Sequence, residues 1–246
     1  MTDTSYLAGR SAIVTGGSQG IGLATAIALR TAGAGVMICG RSDETLDAAA
    51  LRIQTATAAA PSGQVVTMVA DVRQPAEAER LVASAVERLG GVDILINNAG
   101  VGKFSPLAEL TLDDWRETID TNLSGVFHCC RAALPALRGR GGGWIINVSS
   151  LASTHPFAGG AAYCASKAGL NALTESLMQE VRHDGIRVSC VLPGSVNTDF
   201  AGNTPTESQG WKLAAADVAQ AIVGLLRHPA RSLPSRVELR PSTPRK

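Results

Sequence analysis

TGGSQGIG, Thr15 to Gly22, sits between an apolar run, Ser11 to Thr15, and a helical pattern, Gly20 to Thr31. Each glycine has a job that a side chain would obstruct. Gly16 lets the chain turn sharply, Gly20 lets the backbone come close to a pyrophosphate, and Gly22 lets the helix lie near the sheet. The first N–H groups of such a helix, with its partial positive charge, form a cradle for phosphate. A glycine loop alone reads equally well as a tight turn. The order strand, loop, helix inside the first 35 residues favours a dinucleotide site.

Working outward, the same alternation continues along the chain. Strand-like runs cover Ser11 to Thr15, Gly35 to Cys39, Val65 to Val69, Val92 to Ile96, Trp144 to Val148, Arg187 to Val191 and Arg236 to Leu239. Helical patterns cover Gly20 to Thr31, Glu44 to Ala59, Ala76 to Leu89, Leu112 to Leu137, Ala161 to His183 and Ala216 to Arg227. The Ala48 to Ala60 stretch reads as a surface helix ended by Pro61, Ser62 and Gly63. Near-continuous apolar strands separated by helices imply a parallel sheet covered on both faces. The expected fold is α/β, a doubly wound Rossmann fold in one domain, with a mainly parallel seven-stranded sheet flanked by helices.

Composition narrows the function classes. With 22 Lys+Arg against 21 Asp+Glu and 45% hydrophobic residues, the chain offers neither a basic face for nucleic acid nor a disordered profile. No apolar run approaches the roughly 18 residues needed to span a bilayer, and the N-terminus MTDTSYLAGR lacks the features of a leader, so no membrane is expected and a cytoplasmic location is. The five cysteines lack CxxC spacing and read as small buried hydrophobes; with four scattered histidines, no metal site is expected.

The TGxxxGxG spacing is where the sequence resembles the short-chain dehydrogenase/reductase family, and further motifs follow in order over residues 8 to 200. They are Asp71 after the third strand, Asn97-Asn98-Ala99-Gly100, Asn122, Ser150, Tyr163 with Lys167 as YxxxK, and Pro193-Gly194 with Thr198. The resemblance implies a nicotinamide site built from Gly16, Ser18, Gln19, Gly20 and Ile21, from Arg41 and Ser42, from Asp71 and Val72, and from Asn98, Ala99 and Gly100. Tyr163, Lys167, Pro193, Gly194, Val196 and Thr198 complete it. It also implies that Asp71 lies beside the adenine and that Thr198 binds the carboxamide. By the same resemblance, Asn122 would interrupt its helix and hold a water that relays protons to the lysine. Helices Leu112 to Leu137 and Ala161 to His183 would join subunits into a homodimer or homotetramer.

These residue types suit hydride transfer, because the alkoxide that forms when a carbonyl carbon accepts hydride must receive a proton. A phenol titrates near 10, so bringing it to about 7 takes roughly 4 kcal/mol of preferential stabilisation of the phenolate. Lys167, one helical turn after Tyr163, sets an ammonium on the same face, where it is expected to lower the phenol. Ser150 lies thirteen residues before Tyr163 at the end of a strand, placed to orient the substrate oxygen; Ser149 is its neighbouring competitor. Singly, each of these residues also has a plain structural explanation, and the ordered set is what outweighs it.

Gly40 stands where an NAD enzyme usually carries an acidic residue, and Arg41 follows with a guanidinium suited to a 2′-phosphate. NADP is therefore the expected cofactor, with NAD use left open because Gln19 replaces the basic residue many NADP-using relatives place there. Substrate contacts are expected from Ser150, His155, Phe157, Tyr163 and Phe200, with Leu151 and Trp211 nearby and a lid over about residues 195 to 212. The reading is a carbonyl reductase or alcohol dehydrogenase acting on a small molecule. Reduction of 3-oxoacyl-[acyl-carrier-protein] thioesters and a non-catalytic NADP-sensing regulator are the alternatives. The absence of glycine after Arg236 counts against the first, and the intact Ser150, Tyr163 and Lys167 against the second. Arg240, Arg245 and Lys246 read as a solvated basic end.

Overall fold

The computed structural model describes residues 5–60 and 63–244. Pro61, Ser62, Arg245 and Lys246 lie outside the described residues. The strands are β1 (Ser11–Thr15), β2 (Gly35–Gly40), β3 (Val65–Val69), β4 (Ile94–Asn97), β5 (Gly143–Val148), β6 (Ile186–Pro193) and β7 (Arg236–Leu239). The α-helices are α1 (Gly20–Thr31), α2 (Asp43–Ala56), α3 (Pro75–Leu89), α4 (Leu112–Ile119), α5 (Gly125–Gly139), α6 (Ala161–Val181) and α7 (Ala215–Leu225). All seven strands are parallel, in the order β3-β2-β1-β4-β5-β6-β7. The chain moves outward from β1 to β3, then returns to β4 on the other side of β1. That reversal opens a crevice above the carboxyl ends of β1 and β4, where ligands of open α/β sheets bind.

The continuous apolar runs arise because both sheet faces are covered, so alternate residues enter two separate cores. Ala12, Val14, Val36, Ile38, Ile94 and Ile96 pack with Leu23, Ala26 and Leu29 of α1, Leu46 and Ile53 of α2, and Ile222 of α7. Ile13, Met37, Leu95, Ile145 and Val188 face the other way, against Leu81 of α3, Ala133 and Leu137 of α5, and Leu177 of α6. Cys39, Cys129, Cys130, Cys164 and Cys190 are all free and buried. Among the described residues no helix is long and apolar enough to cross a membrane.

The helical stretch read over Leu112 to Leu137 is interrupted around Asn122, where the family resemblance implied an interruption. It is broken by a π-helical turn at Asp120–Ser124, which accommodates an extra residue between α4 and α5. The cause is Asn122, whose side chain is drawn into a pair of bonds to the backbone of Val101. The strand expected from Val92 begins at Ile94, preceded by the buried carboxylate of Asp93.

Asp93 fastens the opposite end of the sheet from the crevice. Its carboxylate accepts from Arg10 Nη1 at 2.7 Å, from the Ser11 N–H at 2.9 Å and from Arg140 Nε at 3.1 Å. Burial opposes the charge, but these donors outweigh it and hold the carboxyl below its usual range. A carboxyl depressed on folding stabilises the protein above its unfolded value near 4, and that contribution is lost as pH falls through the lower folded value. Asp93→Asn should therefore lower the unfolding free energy at pH 7 by about 1.5–3 kcal/mol. Its deficit relative to the parent should shrink below about pH 4. Urea unfolding across that range measures both.

Candidate active site

At the top of β1 the glycine turn takes the shape its sequence demands. Gly16 and Gly20 have φ of 62° and 53°, in the left-handed region that favours glycine. A Cβ at Gly22 would collide with the Gly16 carbonyl oxygen, so α1 can lie this close only without a side chain there. Gln19 begins α1 with no side-chain cap, and no acidic residue occupies the first turn. The leading N–H groups of the helix thus retain their donors and their partial positive charge.

The turn is locked to the end of β4. Thr15 Oγ1 accepts from the N–H groups of Asn98 and Ala99, while Asn98 Nδ2 donates to the carbonyls of Thr15 and Gly16, all at 3.0 Å. Asn97, buried behind them, donates to Asn147 Oδ1 at 2.8 Å, and Asn147 donates in turn to Thr174 of α6. The NNAG element thereby divides its work. One Asn ties β4 to β5, and the next shapes the rim of the crevice.

That crevice is a cleft of about 730 Å³. Nearly every residue singled out for the cofactor lines it: Gly16, Ser18, Gln19, Gly20, Ile21, Arg41, Asp71, Val72, Asn98, Ala99, Gly100, Tyr163, Lys167, Pro193, Gly194, Val196 and Thr198. Ser42 is the exception. Its hydroxyl caps α2 by accepting from the Thr45 N–H, so it positions the helix that follows Arg41. At this end the cleft also holds Arg73, which sequence reasoning missed. Arg73 grips Asp71 through Nε, at 2.9 Å from both carboxylate oxygens, and through Nη2, and so holds that carboxyl below its usual range. The spacing Asp71-Val72-Arg73 was the available signal, since an Asp readily bonds the backbone two residues on, as it does here. Arg41 and Arg73 share one oxygen of Glu117, at 3.6 and 4.0 Å.

At the other end, Ser150 follows β5 and Tyr163 and Lys167 occupy the first two turns of α6. Ser150 stands beside the Tyr163 phenol, and its Oγ accepts from the Ala152 N–H at 3.1 Å. Ser149 turns away and donates to the Lys167 carbonyl, which separates the two serines in favour of Ser150. The Lys167 ammonium donates to the Val148 carbonyl at 2.8 Å and stands 5.9 Å from the centre of the Tyr163 ring. Burial pushes Lys167 down to about 8. Burial also pushes the Tyr163 phenol up, against the lowering effect of Ser150. The expected lowering of Tyr163 by its lysine is thus reversed here, because desolvating the phenolate outweighs the donors around it.

Asn122 is fully buried and does not line the cleft. Its Oδ1 accepts from the Val101 N–H at 2.8 Å, and its Nδ2 donates to the Val101 carbonyl and to Ser166 Oγ. The side chain therefore positions the loop beside Lys167, with both of its amide hydrogens engaged. His155, Phe157 and Phe200 all line the cleft, with His155 bonded to Thr154. Phe104, which sequence reasoning did not single out, lies edge-on to Tyr163 at 5.6 Å. Arg240 lines the cleft as well, paired with Glu238, where a solvated end was expected.

Comparison with known proteins identifies relatives of the whole chain. The chain is 34% identical over 230 residues to an uncharacterized oxidoreductase of Staphylococcus saprophyticus, covering 94% of this chain and 96% of that one. An alcohol dehydrogenase from the archaeon Thermococcus sibiricus, solved with 5-hydroxy-NADP, superimposes with a TM-score of 0.88 at 29% identity, covering 96% of this chain and 98% of that one. A metagenomic short-chain oxidoreductase in complex with NADP gives a TM-score of 0.84 at 35% identity, covering 98% of this chain and all of that one (100%). The short chain dehydrogenase family model matches residues 10–209, from just before β1 to beyond Phe200, and the chain belongs to the short-chain dehydrogenase family of oxidoreductases.

Proposed function

We propose that the protein interconverts a carbonyl compound and its alcohol with NADP(H), Tyr163 acting as the acid/base. The observation that carries this reading is the convergence of Ser150, Tyr163 and Lys167 at one end of the cleft whose other end is the glycine turn. The residues present fit the cofactor. The uncapped α1 start suits the pyrophosphate, and Gly40 with Arg41 leaves a cation and no carboxylate on β2's end for a 2′-phosphate. The two NADP-bearing structural neighbours support the same choice.

Bound in this cleft, reduced nicotinamide supplies the hydride. Ser150 orients the substrate oxygen, and Tyr163 donates its proton to it. The raised phenol suits this role: it stays protonated at neutral pH and releases the proton as negative charge grows on the oxygen. Lys167, held on the Val148 carbonyl, stabilises the phenolate left behind. The five buried free cysteines suit a reducing compartment, and we place the protein in the cytoplasm. Leu112, Trp115 and Phe127 stand exposed on α4 and α5, a face suited to joining subunits into a dimer or tetramer.

Tyr163→Phe should lower turnover by about 10²–10⁴-fold while NADPH still binds, as read by cofactor fluorescence; substantial remaining turnover would remove the proton role. Arg41→Ala should raise the KM for NADPH by about tenfold, the lower end expected for a largely exposed cation, and leave that for NADH nearly unchanged. Equal effects would unseat the phosphate assignment. Sedimentation should find a dimer or tetramer, and a monomer at micromolar concentration would contradict the α4–α5 interface.

A further inference from the structure

Only 4% of the residues are aromatic and only four are phenylalanines, yet three of those four gather around Tyr163. Phe104 meets the tyrosine ring edge-on, with centroids 5.6 Å apart at 81°, and Phe200 lies 5.7 Å away on another side. Phe157 extends the wall, 5.6 Å from Phe104. All three line the cleft, and Phe104 and Phe157 are 48% and 49% exposed. Such ring surface facing water is costly unless a ligand covers it.

The backbone is shaped to admit and hold these rings. A Cβ at Gly102 would come within 2.7 Å of Phe200 and 2.9 Å of Phe104, and one at Gly160 within 2.8 Å of Phe157. The loops carrying Phe104 and Phe157 are joined by the Ser105 N–H, which donates to the Gly159 carbonyl at 2.9 Å. The Phe200 carbonyl accepts from both the N–H and the side-chain amide of Asn203. Three separate segments thus present rings from fixed positions around one phenol.

We propose that this cage is an aryl subsite, so that the substrate is an aryl ketone or its benzylic alcohol, with the aromatic ring seated among Phe104, Phe157 and Phe200. The inference rests on the reading of Tyr163 given under Proposed function. In the reductive direction the carbonyl carbon accepts hydride, a proton with two electrons, from NADPH. Its oxygen accepts the Tyr163 proton, leaving a benzylic alcohol and NADP⁺, and solvent reprotonates the phenolate. An aromatic wall could instead hold a quaternary ammonium group, but the Lys167 ammonium stands 5.9 Å from the Tyr163 ring at the centre of the cage and repels a cation there. A saturated ring would bury similar apolar area and forgo the edge-to-face contacts, each of which contributes about two- to tenfold in affinity.

The test compares acetophenone with cyclohexyl methyl ketone, matched in carbon skeleton, by calorimetric binding to the full chain with and without NADP⁺, where no reduction occurs. Acetophenone should bind at least about fivefold more tightly, and Phe104→Leu/Phe157→Leu should bring the two ketones to within about twofold. Equal affinities in the parent protein, a preference unchanged in the double variant, or tighter binding of tetramethylammonium than of acetophenone would each overturn the aryl subsite. If the aromatic preference holds while NADPH is consumed with neither ketone, the subsite stands and the assignment of Tyr163 as the acid fails.

Discussion

The active end of the molecule depends on a buried ammonium. Lys167 is only 4% exposed, and its charge is held by a hydrogen bond to the Val148 carbonyl at the end of β5. Burying a cation is costly, and its lowered titration near 8 records that cost. The surrounding bonds can be understood as keeping the lysine where it is useful despite this. Ser149 donates to the Lys167 carbonyl, Ser166 donates to the Tyr163 carbonyl, and Asn122 bonds Ser166 and both backbone groups of Val101. One polar lattice therefore joins β5, α6 and the loop after β4.

The π-helical turn belongs to the same lattice. Asn is a poor residue for a helix interior, because its amide competes for backbone partners. Here the competition succeeds, with a partner outside the helix, and the helix yields by one residue. The local irregularity is the geometric condition for bringing the Asn122 amide to Val101 and, through it, the Gly100 backbone near the lysine: a Cβ on Gly100 would stand 3.7 Å from Nζ.

How much of this was legible in the sequence depended on the range of the interaction. The strands were legible because each is an apolar run buried on both faces; β1, β3 and β7 were read to the residue, and the others ended within two residues of their observed limits. The glycine turn and the Ser150–Tyr163–Lys167 set were legible because their chemistry fixes spacing. Periodicity alone reads α4 and α5 as one helix, and the break between them was legible only through the family resemblance at Asn122. Phe104 and Arg73 come from loops whose partners are distant or depend on the turn's final shape. The direction of the Tyr163 shift was illegible for a related reason: a motif shows which charge is near, and only packed atoms show how much water is gone.

Asp93 and Tyr163 mark the two ends of one sheet. The bonds of Asp93 to Arg10, Ser11 and Arg140 lie below the first paired residue of β4, and the reactive groups lie beyond its last. The four-residue strand between them is about 13 Å long. At that separation perturbations combine almost independently. The lower rim can therefore be reinforced for heat tolerance, or eroded by drift, while catalytic selectivity evolves at the upper rim on its own terms.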